Sequence, residues 1–280
     1  MATSTRAAIV ASDGFDSYVA GSQLESGADG SPGTALNGGS GFTSAFETED
    51  VNKSHVVVAS PGLSFSSGGV AANGGANSVS FTGPIALSVD FVTRSFAPQT
   101  DTLFLSFLLR GTQAAEEEDF LQFGFSGTPT GEPPIAMGIA GAVANPLPTQ
   151  FFVRMPALTA NETLLGSPTF AIYTTFLMVM KVSKVGGSAN YNQLDFFLNP
   201  SSRTEPTLPT LSRTADSGQS TLNTFRVRSA RLDAGDSYLV DELKIGTTFS
   251  DVVVPEPAAG GIGAVGAMLL GLRGKRRAKR

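Results

Sequence analysis

Beyond residue 46, short runs in which apolar and polar residues alternate dominate the chain. In 120–125 every second residue is apolar, and the same spacing recurs in 190–198 and 224–228. In the last of these runs Arg226 and Arg228 are expected to face outward. A period of two residues is typical of a half-buried β-strand.

Two further runs indicate which residues share a strand face. In 102–110 apolar residues occupy both alternating sets of positions, so we expect this strand to be buried on both sides. In 88–94 the alternation places Phe91 and Arg94 on opposite faces.

Turn residues separate these runs. The chain has 32 Gly and 16 Pro, at sites such as Gly83-Pro84, Gly186-Gly187 and Asn199-Pro200. Residues 170–182 could also form a helix, but their β-branched and aromatic content favours a strand. The sequence therefore predicts an all-β, two-sheet antiparallel sandwich over 13–250, with under about a tenth of its residues in helix.

The segment 13–46 precedes these runs and has a different composition. It is rich in Gly, Ser and Asn, which predicts a segment that is mostly loop. Phe15, Phe42 and Phe46 are expected to hold this loop against a sheet.

The C-terminal end combines three ordered elements. Pro255, Glu256 and Pro257 are followed by 15 uncharged residues, 258–272. As a helix this run would span roughly 22 Å, which makes it a short transmembrane helix. The cations that follow would stop it at the membrane face: Arg273, Lys275, Arg276, Arg277, Lys279 and Arg280.

Charge separates the body of the chain from this end. The formal net charge is −5, but without the six terminal cations 13 basic residues oppose 24 acidic ones. An acidic body argues against binding of nucleic acid. The chain has no cysteine and a single histidine, His55, which excludes disulfides, thiolate metal sites and cysteine nucleophiles.

The order of elements in 255–280 resembles the PEP-CTERM sorting signal of Gram-negative bacteria. The resemblance implies export, transient anchoring of 258–272 in the inner membrane and processing by an exosortase-type enzyme. Residues 1–12 resemble the remnant of a signal peptide, or else a disordered N-terminus. The alternative for the C-terminal residues 252–280 is a basic tail on a soluble protein.

The body, 13–251, also resembles a known group. The segments DGFDSYVAGSQL, GGSGFTSAF, KVSKVGGSANYNQLDFFLNP and YLVDELKIGTTFSDV are similar, in this order, to parts of concanavalin A-like (LamG-like) jelly-roll domains in PEP-CTERM proteins of planctomycete-like bacteria. The resemblance implies a lectin-like jelly-roll sandwich. It implies no single activity.

Motifs for catalysis are absent from the sequence. The Glu-x-Asp-x-x-Glu pattern that laminarinase-type glycosidases use does not occur, and neither does a Gly-x-Ser-x-Gly nucleophile elbow. The acidic segment 116–119 is interpreted as a solvated turn, with calcium binding as the alternative. We therefore expect a protein that is not an enzyme.

Asp13, Asp16 and Asp241 are the candidate site residues. Alternation places Asp241 on one strand face with Leu239, Leu243 and Ile245, and a carboxylate on an apolar face requires partners. Asp241 is predicted to accept N–H groups of the N-terminal segment and so to close the sandwich. The alternative is that the three aspartates hold calcium.

Three functions follow as hypotheses. The first is an exported cell-surface or extracellular-matrix protein whose sandwich binds exopolysaccharide. The second is a structural envelope protein without a ligand, and the third is a glycan hydrolase of unrecognised type.

Overall fold

The computed structural model describes residues 8–26, 34–48, 55–83, 89–116, 119–128, 130–141, 149–156, 163–233 and 235–253. In this part of the chain the strands form two large sheets and one hairpin, and every strand pair is antiparallel. The predicted all-β antiparallel sandwich is confirmed.

The first sheet contains eight strands. Across the sheet they run in the order β15 (Leu211–Thr214), β14 (Gln193–Leu198), β13 (Phe176–Ser183), β8 (Leu103–Gly111), β17 (Ser237–Gly246), β6 (Ser78–Thr82) and β3 (Val56–Ala59). Strand β1 (Ile9–Asp13) also pairs with β17.

The second sheet contains seven strands. Their order is β12 (Thr163–Thr169), β11 (Gln150–Arg154), β10 (Ile135–Ala140), β9 (Phe120–Ser126), β16 (Leu222–Ala230), β7 (Val89–Gln99) and β2 (Glu47–Thr48). Outside both sheets, β4 (Ser64–Ser67) and β5 (Val70–Asn73) form a hairpin, and α1 (Phe249–Val253) is a short helix.

The main core lies between the two large sheets. Phe107 of β8 meets Phe123 of β9 with their ring centroids 4.1 Å apart, and Phe96 of β7 packs edge-on against Phe125. These residues are almost completely buried. Burial of such alternating apolar faces is the main stabilising contribution to a sandwich.

A second apolar cluster lies on the outer face of the first sheet. Phe104 and Leu108 of β8 pack there with Phe249 of α1 and Val70 of the β4–β5 hairpin. Strand β8 is therefore covered on both sides, which confirms the expectation from its two apolar faces.

The structure refines two predicted segments. Residues 9–12 lie in β1, where Ala11 is fully buried and pairs with Ile245. The assignment of 1–12 to a signal-peptide remnant stays a prediction. Within 170–182 the strand begins only at Phe176. In the segment predicted to be mostly loop, Phe15 and Phe46 are buried and Phe42 packs against the core, as expected.

The sorting motif Pro255–Glu256–Pro257, the uncharged run 258–272 and the basic end 273–280 lie outside the described residues. In the part of the chain that the structure describes, no helix has the length and apolar character needed to span a membrane.

Candidate functional site

A β-bulge in β17 organises the candidate site. The register of β17 against β8 shifts between Asp241 and Lys244, and Glu242 adopts a φ of 53°. This left-handed conformation is unfavourable for a residue with a side chain, and such residues concentrate at functional sites.

The bulge changes which residues of β17 face the core. Val240 faces the core before it, whereas Leu243 and Ile245 face the core after it. Asp241 pairs with Leu108 and therefore lies on the outer face of the first sheet. The prediction that Asp241 shares a face with Leu243 and Ile245 is wrong, because the extra residue reverses the alternation.

Asp241 is completely buried and bonded to backbone N–H groups. Its Oδ2 accepts the N–H of Leu63 at 2.7 Å, and its Oδ1 accepts the N–H of Glu242 at 2.7 Å. The predicted type of partner is confirmed, but the distant donor belongs to the loop between β3 and β4 and not to the N-terminal segment. Burial raises the pKa of Asp241 to about 8, although both N–H groups act in the opposite direction.

Gly74 makes room for this carboxylate. A Cβ atom at Gly74 would lie 1.8 Å from Oδ2 of Asp241. No residue with a side chain fits there without displacing Asp241.

Asp13 lies at the end of β1, opposite Leu243 of β17. This register confirms that the strand around 238–246 adjoins the N-terminal segment. Oδ1 of Asp13 accepts the N–H of Phe15, and Oδ2 accepts the hydroxyl of Tyr18 and a guanidinium N–H of Arg94. The charge of Asp13 is therefore neutralised inside the protein.

Asp16 is exposed and joins the N-terminal segment to the turn after β5. Its Oδ1 accepts the N–H groups of Ala76 at 2.7 Å and Asn77 at 3.0 Å. Gly75 lies against the same carboxylate with a φ of 66°, so a side chain would be both strained and obstructed there.

These elements enclose a cavity of about 550 Å³, which we call the β17 cavity. Its charged and amide groups belong to Asp13, Asp16, Asn73, Glu242 and Lys244. The ammonium of Lys244 donates to Oε2 of Glu242 at 2.5 Å, and Lys244 is only 3% exposed. The cavity thus combines acidic acceptors, a cationic donor and an amide that both donates and accepts.

The three predicted calcium ligands lie in or next to this cavity, and each of them has its own hydrogen-bond partners. Asp13 and Asp16 line it, whereas Asp241 lies beneath Gly74. Among the described residues, no group of three or more His, Asp or Glu side chains is arranged to hold a metal ion. Calcium takes six to eight oxygen ligands, more than these three carboxyl groups supply in their present arrangement. Calcium binding by Asp13, Asp16 and Asp241 stays a prediction, and the arrangement does not favour it.

The acidic segment 116–119 differs from a fully solvated turn. Asp119 is 3% exposed and accepts the N–H of Glu116 at 2.9 Å. Burial and, to a smaller extent, the nearby acids Asp236 and Asp233 raise its pKa to about 6, although the N–H of Glu116 acts in the opposite direction. The interpretation as a solvated turn is wrong for this residue, because the loop turns Asp119 inward.

Sequence reasoning did not identify Glu242 and Lys244 as site residues. The available signal was the pair Asp241-Glu242 within a strand of alternating apolar residues. Two adjacent acids cannot both lie on the polar face of a regular strand, so one of them requires a partner or a bulge.

Comparisons with known proteins found distant similarity of fold. No family model and no curated protein matches the chain. The exoplasmic/lumenal domain of VIP36, in a Ca²⁺/Man3GlcNAc-bound form, is 8% identical with a TM-score of 0.44, covering 61% of this chain and 78% of that one. An endo-β-1,4-glucuronan lyase from the fungus Trichoderma reesei is 12% identical with a TM-score of 0.41, covering 68% and 89%. The T. cruzi calreticulin globular domain is 14% identical with a TM-score of 0.38, covering 70% and 83%. Scores of this size do not establish a shared function.

Proposed function

We propose that this chain is an exported surface or extracellular-matrix protein whose sandwich binds a polysaccharide in the β17 cavity. In this proposal the sandwich acts in binding and not in catalysis. The C-terminal tail directs sorting through an exosortase-type enzyme.

The polar lining of the β17 cavity is the observation that carries the binding proposal. Sugar hydroxyls both donate and accept hydrogen bonds, and the cavity offers acceptors on Asp16 and Glu242 and a donor on Lys244. A small number of directed polar groups is typical of ligand sites.

The left-handed Glu242 supports the same proposal. The bulge costs on the order of 1 kcal/mol in backbone strain and directs a carboxylate into the cavity instead of along the strand. Strained residues of this kind cluster at active sites and ligand sites.

Binding is tested by presenting the purified chain to an array of neutral and acidic glycans. We expect binding that Glu242→Gln and Asn73→Ala each weaken by about tenfold, which corresponds to ~1.4 kcal/mol. Leu208→Ala, at an exposed site remote from the cavity, is the control and leaves binding unchanged. Unaltered binding in both cavity variants contradicts the site, and no binding to any glycan favours a ligand-free structural role.

Sorting is supported by the order of Pro255-Glu256-Pro257, the uncharged run and the basic end. It is tested by expressing the chain behind an export signal in a bacterium that has an exosortase, and by fractionating the cells. We expect envelope or extracellular protein shortened at its C-terminus, and an altered location when 255–280 is deleted. An unchanged location after that deletion contradicts the sorting proposal.

A further inference from the structure

The outer face of the second sheet carries three arginines, which we call the arginine cluster: Arg154 of β11 and Arg226 and Arg228 of β16. Phe225 and Val227 of β16 face the core, so Arg226 and Arg228 point to the opposite side. The strand order places β9 and β10 between the arginines of β16 and β11.

Small residues lie across this gap. Arg226 pairs with Gly124, Gly124 pairs with Ala136, and Ala136 pairs with Arg154. This cross-strand row therefore connects Arg226 to Arg154 through Gly124 and Ala136, which have no side chain or only a methyl group. Arg226, Gly124 and Ala136 are buried in the protein, whereas Arg228 and Arg154 at the edge of the row are partly exposed.

Aromatic rings fix the arginines of β16. The guanidinium carbon of Arg228 lies 4.7 Å from the ring centroid of Phe120 and 5.7 Å from that of Phe91. Arg226 lies 5.1 Å from the Phe91 centroid. A guanidinium stacked on a ring presents its N–H groups along its edges, where they bind planar anions.

A carboxylate already bridges two members of the cluster. Glu132 approaches Arg228 at 2.6 Å and Arg154 at 3.6 Å, and the two arginine side chains are 14% and 16% exposed. Burial lowers the pKa of Arg228, Glu132 opposes this shift, and Arg154 adds to it. The pair Arg154–Arg228 is thus a carboxylate-binding site whose occupant comes from the protein itself.

The amide of Gln122 is the second sign of an incomplete site. Gln122 of β9 pairs with Arg228 and is 0% exposed, yet its Oε1 and Nε2 have no hydrogen-bond partner. The Nε atoms of Arg154 and Arg228 are also buried without a partner. Buried unsatisfied polar groups are rare and costly, and a ligand that supplies their partners relieves this cost.

We propose that the arginine cluster binds the carboxylate groups of a uronate-containing polysaccharide, with Glu132 occupying that position in the unliganded protein. The inference takes its ligand class from the proposed function but places it at a site separate from the β17 cavity. A uronate carboxylate replaces Glu132 between Arg154 and Arg228, and the departure of the Glu132 side chain and its loop uncovers the buried amide of Gln122 for a neighbouring sugar hydroxyl.

The test uses the full-length chain and isothermal titration calorimetry with an oligogalacturonate. The matched ligand is the same oligomer with its carboxylates methyl-esterified. We expect binding of the acid form that weakens with added salt, and at least tenfold weaker binding of the ester. Equal binding of both forms, or equally tight binding of single-stranded DNA, overturns the proposal.

Four variants separate a binding role from a structural one. Arg228→Gln weakens binding of the oligogalacturonate more than tenfold, whereas Arg203→Gln, with the same charge change at a remote exposed site, does not. Glu132→Gln removes the competing carboxylate and tightens binding severalfold. Gln122→Met removes the unsatisfied amide, so it raises the unfolding midpoint while it weakens binding.

The outcomes also distinguish this site from the β17 cavity. Oligogalacturonate binding that is lost in Glu242→Gln but kept in Arg228→Gln overturns the arginine cluster and supports the cavity. Tighter binding in Gln122→Met, or weaker binding in Glu132→Gln, also overturns it. Loss in Arg228→Gln, with the expected responses of the other variants, supports the cluster even if neutral glycans do not bind.

Discussion

Arg94 of β7 and Asp13 of β1 form a buried ion pair at 2.5 Å, with both side chains 1% exposed. Strand β1 belongs to the first sheet and β7 to the second, so this pair joins the two sheets. The guanidinium also donates to Asn37, Gly38 and Ser44. It packs against two rings of the same segment, Phe42 and Phe46.

Loss of one partner of this pair is expected to be strongly destabilising. Arg94→Met leaves Asp13 buried without its cation, which costs about 3–5 kcal/mol of unfolding free energy. Urea denaturation measures this cost. The comparison is Lys181→Met, which breaks the partly exposed pair of Lys181 with Glu205 and costs at most about 1 kcal/mol. Equal costs for the two variants contradict the central role of Arg94.

The Asp241 carboxyl predicts how stability depends on pH. Its pKa is raised from 3.8 to about 8, so between these values the folded state holds a proton that the unfolded state has released. Stability therefore falls as the pH rises through this window, by about 1.4 kcal/mol per unit from this group alone. Above about pH 8 no further loss comes from Asp241.

The measurement compares unfolding free energies of the wild type and Asp241→Asn from pH 4 to pH 9. The variant is less stable at pH 4, because the amide cannot accept both N–H bonds, but its stability declines less steeply. Other raised carboxyl pKa values, such as that of Asp119, affect both proteins equally and cancel in the difference. Parallel curves would show that Asp241 does not titrate in this range.

Gly74 offers a test of the packing around the same carboxyl. Gly74→Ala places a methyl group within 1.8 Å of Oδ2 of Asp241, so we expect a loss of about 2 kcal/mol or more. Gly69→Ala is the matched control, because the nearest atom to its Cβ lies at an ordinary contact distance of 3.8 Å. The thermal unfolding midpoints of the two variants measure this loss of stability, and similar midpoints would contradict a clash with Asp241.

The alternation of residues predicted strands and fold class well, but it did not determine which face of each strand meets the core. In β7 the period of two separated Phe91 from Arg94 correctly. In the structure Phe91 stacks under arginines on the outer face, whereas Arg94 points inward. The reason is tertiary, because Asp13 and two aromatic rings satisfy the inward guanidinium.

The two candidate sites depend on structural features that the alternation of apolar and polar residues does not show. The bulge of β17 reverses the alternation at Asp241, and this single extra residue sends Glu242 toward the cavity. The arginine cluster depends on the pairing of distant strands, since β16 precedes β17 in sequence but lies between β7 and β9 in the sheet. The alternation predicts that Arg226 and Arg228 face outward, but only the strand order shows that they lie on the same sheet face as Arg154.

The left-handed conformation of Glu242 leads to the last prediction, which separates backbone strain from side-chain function. Glu242→Gly and Glu242→Ala both remove the carboxylate that pairs with Lys244, so their difference reports on the backbone alone. At a φ of 53° glycine is unstrained and alanine is not, and we expect the glycine variant to be more stable by about 1 kcal/mol. The same two substitutions at Asp195, in the regular strand β14, should give the opposite order, because glycine there only increases the entropy of the unfolded chain. Denaturant midpoints of the four variants measure both differences. If the alanine variant is more stable than the glycine variant at both positions, the bulge is not strained, and strain then does not mark the β17 cavity as a functional site.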